Sequence, residues 1–374
     1  MPTVAATCPY VPGEWIAAHG LRFRRVVPSA GSGRELVGAA AGLCPYARAS
    51  MNSLAAEPRP DAAVFTTACD QMRRAAEVFA GLAGVPTFLM NVPSTWQTPS
   101  SLDLYTDELR RLGRFLVDLG AAAPTPDDLA RVMRNYDAAR ARLRAARETL
   151  GPRHYAEAWA RLDASGPWHG HPARGTLQDA VNGPLANPGQ EAHATPPARG
   201  AGLALIGGPM LDVHFDLFDL VERFGGRIVL TAVEGGELTA PDFSAVPRSS
   251  AQQRAMPQHP CPDHGPPPRG GPWHRDTRAS CDPLAELARA YHQTVPHPSR
   301  RPNTLLHQRL RHAIEAAGPR GILFLRYLWC DLWHAELARV REWAAVPVLD
   351  VDVGDRDAGA NLASRVQAFI ETLL

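Results

Sequence analysis

An apolar run, then Cys-Asp, then a helical segment, then Val-Pro and a second apolar run occurs twice in this chain, around Cys69 and again around Cys330. The spacing repeats as well: seventeen positions separate Cys69 from Pro86, and seventeen separate Cys330 from Pro347. Each copy reads as strand, cysteine at the carboxyl end of the strand, helix, strand, which is a half-unit of parallel α/β architecture. Ligands of open α/β sheets gather outside the carboxyl ends of the strands, and the positive end of a helix dipole favours a thiolate there. The repeat thus constrains the chain to two comparable lobes that offer thiols in equivalent positions.

The remaining pattern fills in those lobes, and 374 residues leave room for a core in each. Residues 8–20 predict a turn and a short helix ended by Gly20, followed by a strand over Leu21–Val27 and a helical piece over Ala47–Leu54. Strands are predicted at Ala62–Thr67 and Pro86–Asn91, with an amphipathic helix, Asp70–Leu82, between them. From Leu102 to about Ala160 the apolar spacing is helical. Beyond it come a strand at Gly202, a helix over Asp212–Phe224 and a strand over Arg227–Thr231. Helices over Pro283–Tyr291 and Thr304–Ala317, strands at Gly321–Arg326 and Val346–Val351, and helices over Leu332–Ala344 and Asn361–Leu374 complete the list. The predicted organisation is an N-terminal α/β lobe with a helical extension (1–165), a linker (166–200) and a C-terminal α/β lobe (201–374) with a long loop at 240–280.

Charge excludes several function classes. The formal net charge is +1, so no global field draws nucleic acid or anionic lipid. All 39 basic residues are arginine. Without lysine there is no P-loop lysine and no Schiff-base lysine. The N-terminal segment lacks the basic stretch and apolar core of a signal peptide, and no run approaches a membrane span, so a cytoplasmic protein is expected. In that compartment six cysteines point to metal ligands, catalytic thiols or buried apolar residues rather than disulfides.

Cys44, Cys69 and Cys330 each stand in a turn beside a helix start. Thiolates converging from loops of two lobes suit a soft-metal site, while free cysteine equally packs as a small apolar group, and spacing leaves both readings open. Gly207-Gly208-Pro209 resembles the start of a phosphate-cradling turn but lacks the full glycine pattern and reads as a strand-to-helix turn. His259, His264 and His274 with Cys261 and Cys281 do not keep zinc-finger spacing and read as a solvated loop. Glu14 alone reads as a first-turn acid favoured by the helix dipole.

Several short pieces, in order, resemble the 2-hydroxyacyl-CoA dehydratase D-component and benzoyl-CoA reductase family of iron–sulfur proteins. They are Tyr10-Val-Pro-Gly-Glu-Trp-Ile-Ala-Ala-His-Gly20, Cys44-Pro-Tyr-Ala-Arg-Ala-Ser50, Thr66-Thr-Ala-Cys-Asp70, Tyr105-Thr-Asp-Glu-Leu109, Glu222-Arg-Phe-Gly-Gly226, Asp282-Pro-Leu-Ala-Glu-Leu-Ala288, Cys330-Asp331 and Arg365-Val-Gln-Ala-Phe369. The resemblance implies two Rossmann-like or flavodoxin-like lobes with parallel sheets, a helical segment and a [4Fe–4S] cluster between the lobes. It implies Cys44, Cys69 and Cys330 as cluster ligands and Glu14 as an acid/base group near an acyl-CoA substrate. One-electron chemistry on the thioester, giving a ketyl radical, is the implied mechanism, for a hydro-lyase or an ATP-dependent reductase. An ATP-dependent activator iron–sulfur protein and a related second subunit, or a second copy, are the implied partners. Cys8 matches a cysteine of a related branch that carries a double-cubane cluster, which makes it an additional ligand candidate alongside Cys261 and Cys281. That branch implies the alternative of an electron-transfer or reductase protein without an acyl-CoA substrate; a partner subunit without catalytic activity is the other alternative.

Overall fold

The computed structural model describes residues 1–30, 42–56, 58–165, 200–244, 282–354 and 360–374. The expected linker up to residue 199 lies outside them, as do 245–281 with His259, Cys261, His264, His274 and Cys281.

Strands β1 (Thr3–Ala6), β2 (Arg22–Arg25), β3 (Ala62–Thr66) and β4 (Thr87–Met90) form a parallel sheet in the order β2-β1-β3-β4. Strands β5 (Ala201–Gly207), β6 (Gly226–Val233), β7 (Gly321–Tyr327) and β8 (Val348–Val353) form a second parallel sheet in the order β6-β5-β7-β8. The topology is the same in both lobes, which is the two-lobed α/β architecture that the repeat requires. Parallel sheets are covered on both faces, and their central strands carry unbroken apolar runs for that reason. In β3 all five residues are buried, and in β7 six of seven are.

Helices α1 (Gly13–Ala18), α2 (Pro45–Ala55), α3 (Asp70–Leu82), α4 (Pro99–Asp118), α5 (Pro126–Ala145) and α6 (Pro152–Ser165) belong to the first half of the chain. The helical run read from Leu102 onward is three helices, interrupted where Pro126 and Pro152 each start a new one. Thr125 caps α5 by accepting from the Asp128 N–H, and Asp128 answers at the Thr125 N–H. In the second half, α7 (Asp216–Arg223), α8 (Pro283–Thr294), α9 (Thr304–Ala317), α10 (Asp331–Trp343) and α11 (Ala360–Glu371) follow.

Each sheet is sandwiched between helices. In the N-lobe α1, α4, α5 and α8 bury Ile16, Leu109, Leu112, Leu129 and Leu287 against Val4, Val64 and Phe88. On its other face α2 and α3 bury Met51, Leu54 and Phe79 against Ala63 and Phe65. In the C-lobe α7 and α11 pack Phe218, Val221 and Val366 on Leu203 and Leu323, while α9 and α10 pack Leu310, Trp333 and Leu337 on Ile206 and Phe324. Chain order does not follow lobe membership: α8 lies in the N-lobe core, and Ala49 and Ala156 enter the C-lobe core.

Gly207 ends β5 at φ 130°, and a Cβ there would stand 2.1 Å from the Leu325 carbonyl oxygen of β7. Close approach of two central strands therefore accounts for this glycine. Gly207→Ala is expected to cost about 1–3 kcal/mol or more, combining overpacking with a backbone region that L-residues avoid, read as a lower midpoint in chemical denaturation.

Candidate functional site

In each lobe the chain reverses its winding beside the first strand, between β1 and β3 and between β5 and β7. Ligand crevices open at such switch points, outside the carboxyl ends of the strands. Cys8 follows β1, Cys69 follows β3 and Cys330 follows β7, so the cysteines sit where the fold opens.

Cys44, Cys69 and Cys330 are the N-cap residues of α2, α3 and α10. The Cys44 Sγ accepts from the Ala47 N–H at 3.4 Å. The Cys69 and Cys330 side chains make no cap hydrogen bond, though the nearby N–H groups of Met72 and Gln71, and of Trp333, favour their thiolate forms. The Cys44 N–H donates to the Gln71 side chain at 2.7 Å, which ties the turn of α2 to the turn of α3. Trp329, beside Cys330, holds φ 64°, a left-handed conformation that is uncommon for a bulky residue and that clusters at functional turns.

Burial pushes the Cys44 thiol up to about 11 and the Cys330 thiol up to about 12, and it raises Cys69 as well. Cys69 adds to the rise at both other thiols, and Cys44 adds to the rise at Cys330. Three cysteines thus stand at helix N-termini, Cys44 buried and Cys69 and Cys330 partly exposed, with Cys69 acting on the other two. Among the described residues no three His, Cys, Asp or Glu side chains are arranged to hold a metal ion as they stand. Cys8, also raised to about 11 by burial, is acted on by Thr66, the Tyr10 N–H, Glu234 and Arg25 more than by the other thiols.

Glu234, which the sequence reading did not single out, stands just past β6 and acts on Cys8, Cys69 and Cys330. Its Oε2 accepts from the Trp333 indole N–H at 3.1 Å, and its Oε1 lies 3.2 Å from His297 Nε2. The Ser299 N–H donates to His297 Nδ1 at 3.1 Å, which turns Nε2 toward the carboxylate. Burial alone would raise Glu234, but His297, Trp333 and Arg25 outweigh it and hold the group below the usual carboxylate range. The one sequence signal for this residue is a carboxylate followed by Gly235-Gly236 after a predicted strand.

Glu14 is fully buried in the N-lobe. Its Oε1 makes a 2.7 Å charge contact with Arg140 Nη1 of α5, and its Oε2 accepts from the Tyr291 hydroxyl of α8 at 2.6 Å. Arg140 Nη2 also donates to that hydroxyl at 3.3 Å, closing a triangle of three helices.

A cavity opens between the lobes, walled by α6, by the ends of β2 and β6 and by the turn after β5. Thr7, Tyr46 and Glu234 line it, whereas Cys8, Cys44, Cys69 and Cys330 are not among the lining residues. Glu14 is not among the lining residues.

The model of the family described as 2-hydroxyglutaryl-CoA dehydratase, D-component, matches residues 8–262 and 268–373. The chain belongs to this family. The match to the D-component family spans both lobes and includes Cys8, Glu14, Cys44, Cys69, Glu234 and Cys330. The family's description makes its members components of a dehydratase, so an enzyme-related role is established at that level. No curated protein matches the chain. Among solved structures, a periplasmic heme-binding protein from Pseudomonas aeruginosa is 13% identical over 99% of this chain and 93% of that one. Its TM-score of 0.20 is too low to bear on fold or function. Among the described residues no helix of this D-component family member is long and apolar enough to cross a membrane.

Proposed function

We propose that this chain is the iron–sulfur subunit of a 2-hydroxyacyl-CoA dehydratase-like or acyl-CoA reductase-like enzyme, acting on a CoA thioester. The observation that carries the reading is the set of three cysteines, each at a helix N-cap and drawn from both lobes, in a member of the D-component family. The donor set suits a [4Fe–4S] cluster, because soft thiolates with backbone N–H donors on sulfur are what such clusters bind. Cys44, Cys69 and Cys330 would hold it. Such a cluster, when bound, would supply single low-potential electrons for one-electron chemistry on the thioester.

The chain's own residues have three tasks. The two lobes wall the cavity with mainly apolar side chains. Glu234, kept ionised and held by His297 and Trp333, is the cavity carboxylate able to take a proton from the acyl chain. Glu14 fixes α1 against α5 and α8 behind the site, and an acid/base role for it would first need its pair with Arg140 to open. With no lysine in the sequence, ATP-driven supply of the electron falls to a separate activator protein, and a related subunit or second copy completes the enzyme.

Iron and acid-labile sulfide, counted after anaerobic reconstitution, test the reading. About four of each per chain are expected, and fewer than about three irons would sink it.

A further inference from the structure

One mostly buried carboxylate acts on two of the three thiols assigned to the cluster. Glu234 lies just past β6, and its backbone N–H donates to the Gly207 carbonyl at 3.0 Å, which anchors it to the end of β5. Its side chain is 13% exposed. Glu234 is among the groups that act most on Cys69 and Cys330, and no guanidinium is. Asp70 also acts on Cys69, but its side chain is 87% exposed and paired with Arg73, so solvent screens it.

The carboxylate is held from two sides. Its Oε2 accepts from the Trp333 indole N–H at 3.1 Å, and the backbone N–H of the same tryptophan favours the thiolate of Cys330. One residue of α10 therefore links Glu234 to a proposed ligand. Its Oε1 lies 3.2 Å from His297 Nε2. His297 is buried, its Nδ1 is engaged by the Ser299 N–H at 3.1 Å and the Ser299 Oγ at 2.7 Å, and its ring meets that of Tyr10 edge-on at 5.5 Å. The ring is fixed by these contacts, and His297 is a positioning residue for the carboxylate. Arg25 offsets part of the Glu234 charge on the side of Cys8, where both act. An ionised group in so enclosed a place is costly, and it persists because these partners hold it.

Reduction makes an iron–sulfur cluster more negative, so a fixed negative charge nearby opposes the arrival of the electron, and partial burial leaves that repulsion less screened than in water. We infer that Glu234, held by His297 and Trp333, tunes the cluster site to a low reduction potential. The inference rests on the cluster reading above and adds to it a residue that acts on the cluster without ligating it.

Titanium(III) citrate gives one electron to each oxidised cluster and becomes titanium(IV). The full chain, reconstituted anaerobically without activator or thioester, is titrated with it at fixed pH, and the reduced cluster is counted by electron paramagnetic resonance. Glu234→Gln is expected to raise the midpoint, so that the reduced-to-oxidised ratio at a given poise rises at least about tenfold, which is about 59 mV for a one-electron couple. Glu234→Asp, which keeps the charge, should stay nearer the parent than Glu234→Gln. Glu237→Gln removes a carboxylate three positions on whose partners are Arg144, Arg147 and Tyr155, and it should leave the ratio within about twofold of the parent. A midpoint unmoved or lowered in Glu234→Gln, at the iron content of the parent, would overturn the inference and leave the cluster reading intact. An equal shift in Glu237→Gln would do the same. Glu234→Met repeats the measurement with a neutral side chain that offers no amide to His297; loss of iron from both neutral variants would make Glu234 a structural residue and likewise overturn the inference. A parent chain that takes up no cluster would overturn the inference and the cluster reading together.

Discussion

Cys69→Ala, purified and reconstituted without oxygen, is expected to retain almost no iron or sulfide and to lose the brown colour of the parent chain. Cys44→Ala and Cys330→Ala should behave the same way, because each residue stands at a helix N-cap beside the crevice and the reading uses all three as ligands. Cys8→Ala should keep its iron. The Cys8 thiol is engaged by Thr66 and the Tyr10 N–H, and it feels Glu234 and Arg25 rather than the other three sulfurs. Cys281→Ala, outside the described residues, should also keep it. Loss of iron from Cys8→Ala with retention in Cys44→Ala would mean that a different ligand set, of the double-cubane kind, operates here. Folding of each variant is followed by circular dichroism, so that loss of cluster is separated from loss of structure.

Glu14→Gln is expected to lower the free energy of unfolding by about 3–5 kcal/mol, since it leaves the Arg140 charge uncompensated in a dry core. The amide can still accept from the Tyr291 hydroxyl, which confines the loss to the charge. Arg140→Met alone should be about as damaging, because it strands the Glu14 carboxylate. The two changes together should cost far less than the sum of the singles, as expected for groups that form one network. Urea denaturation of the four proteins closes the cycle. Additive costs would show that Glu14 is not anchored by Arg140, and would return it to consideration as a group facing the substrate.

Much of this architecture is legible in the chain, for a definable reason. Strands such as Ala62–Thr66 and Gly321–Tyr327 are buried on both faces and announce themselves as apolar runs between turn residues. The equal spacing after Cys69 and Cys330 corresponds to equal positions in two identical strand orders. Strand β1 escapes a sequence reading because it is four residues long, Thr3–Ala6, with two alanines and a following Cys-Pro turn. The merged helical run hides its breaks because a proline is favourable at a helix start, so Pro126 and Pro152 do not interrupt the apolar periodicity around them. Glu14 carries only the local signal of a first-turn acid. Its actual partners, Arg140 and Tyr291, come from helices far along the chain, the latter 277 positions away. Glu234 is illegible for the same reason, since Trp333 lies 99 positions beyond it. Residues whose meaning is set by a distant partner leave no periodic trace.

The matched strand orders bear on how such a chain could have arisen. Two lobes with one topology, each bearing a cysteine after its third strand, are what duplication and fusion of an ancestral half would leave behind. The copies have since diverged at one cap. The helix that precedes the third strand begins with Cys44 in the first lobe, whereas in the second it begins with Asn303, whose Oδ1 accepts from Arg339 at 2.7 Å. Cys69 and Cys330 keep matched places in the two copies, whereas Cys44 has no counterpart in the second lobe.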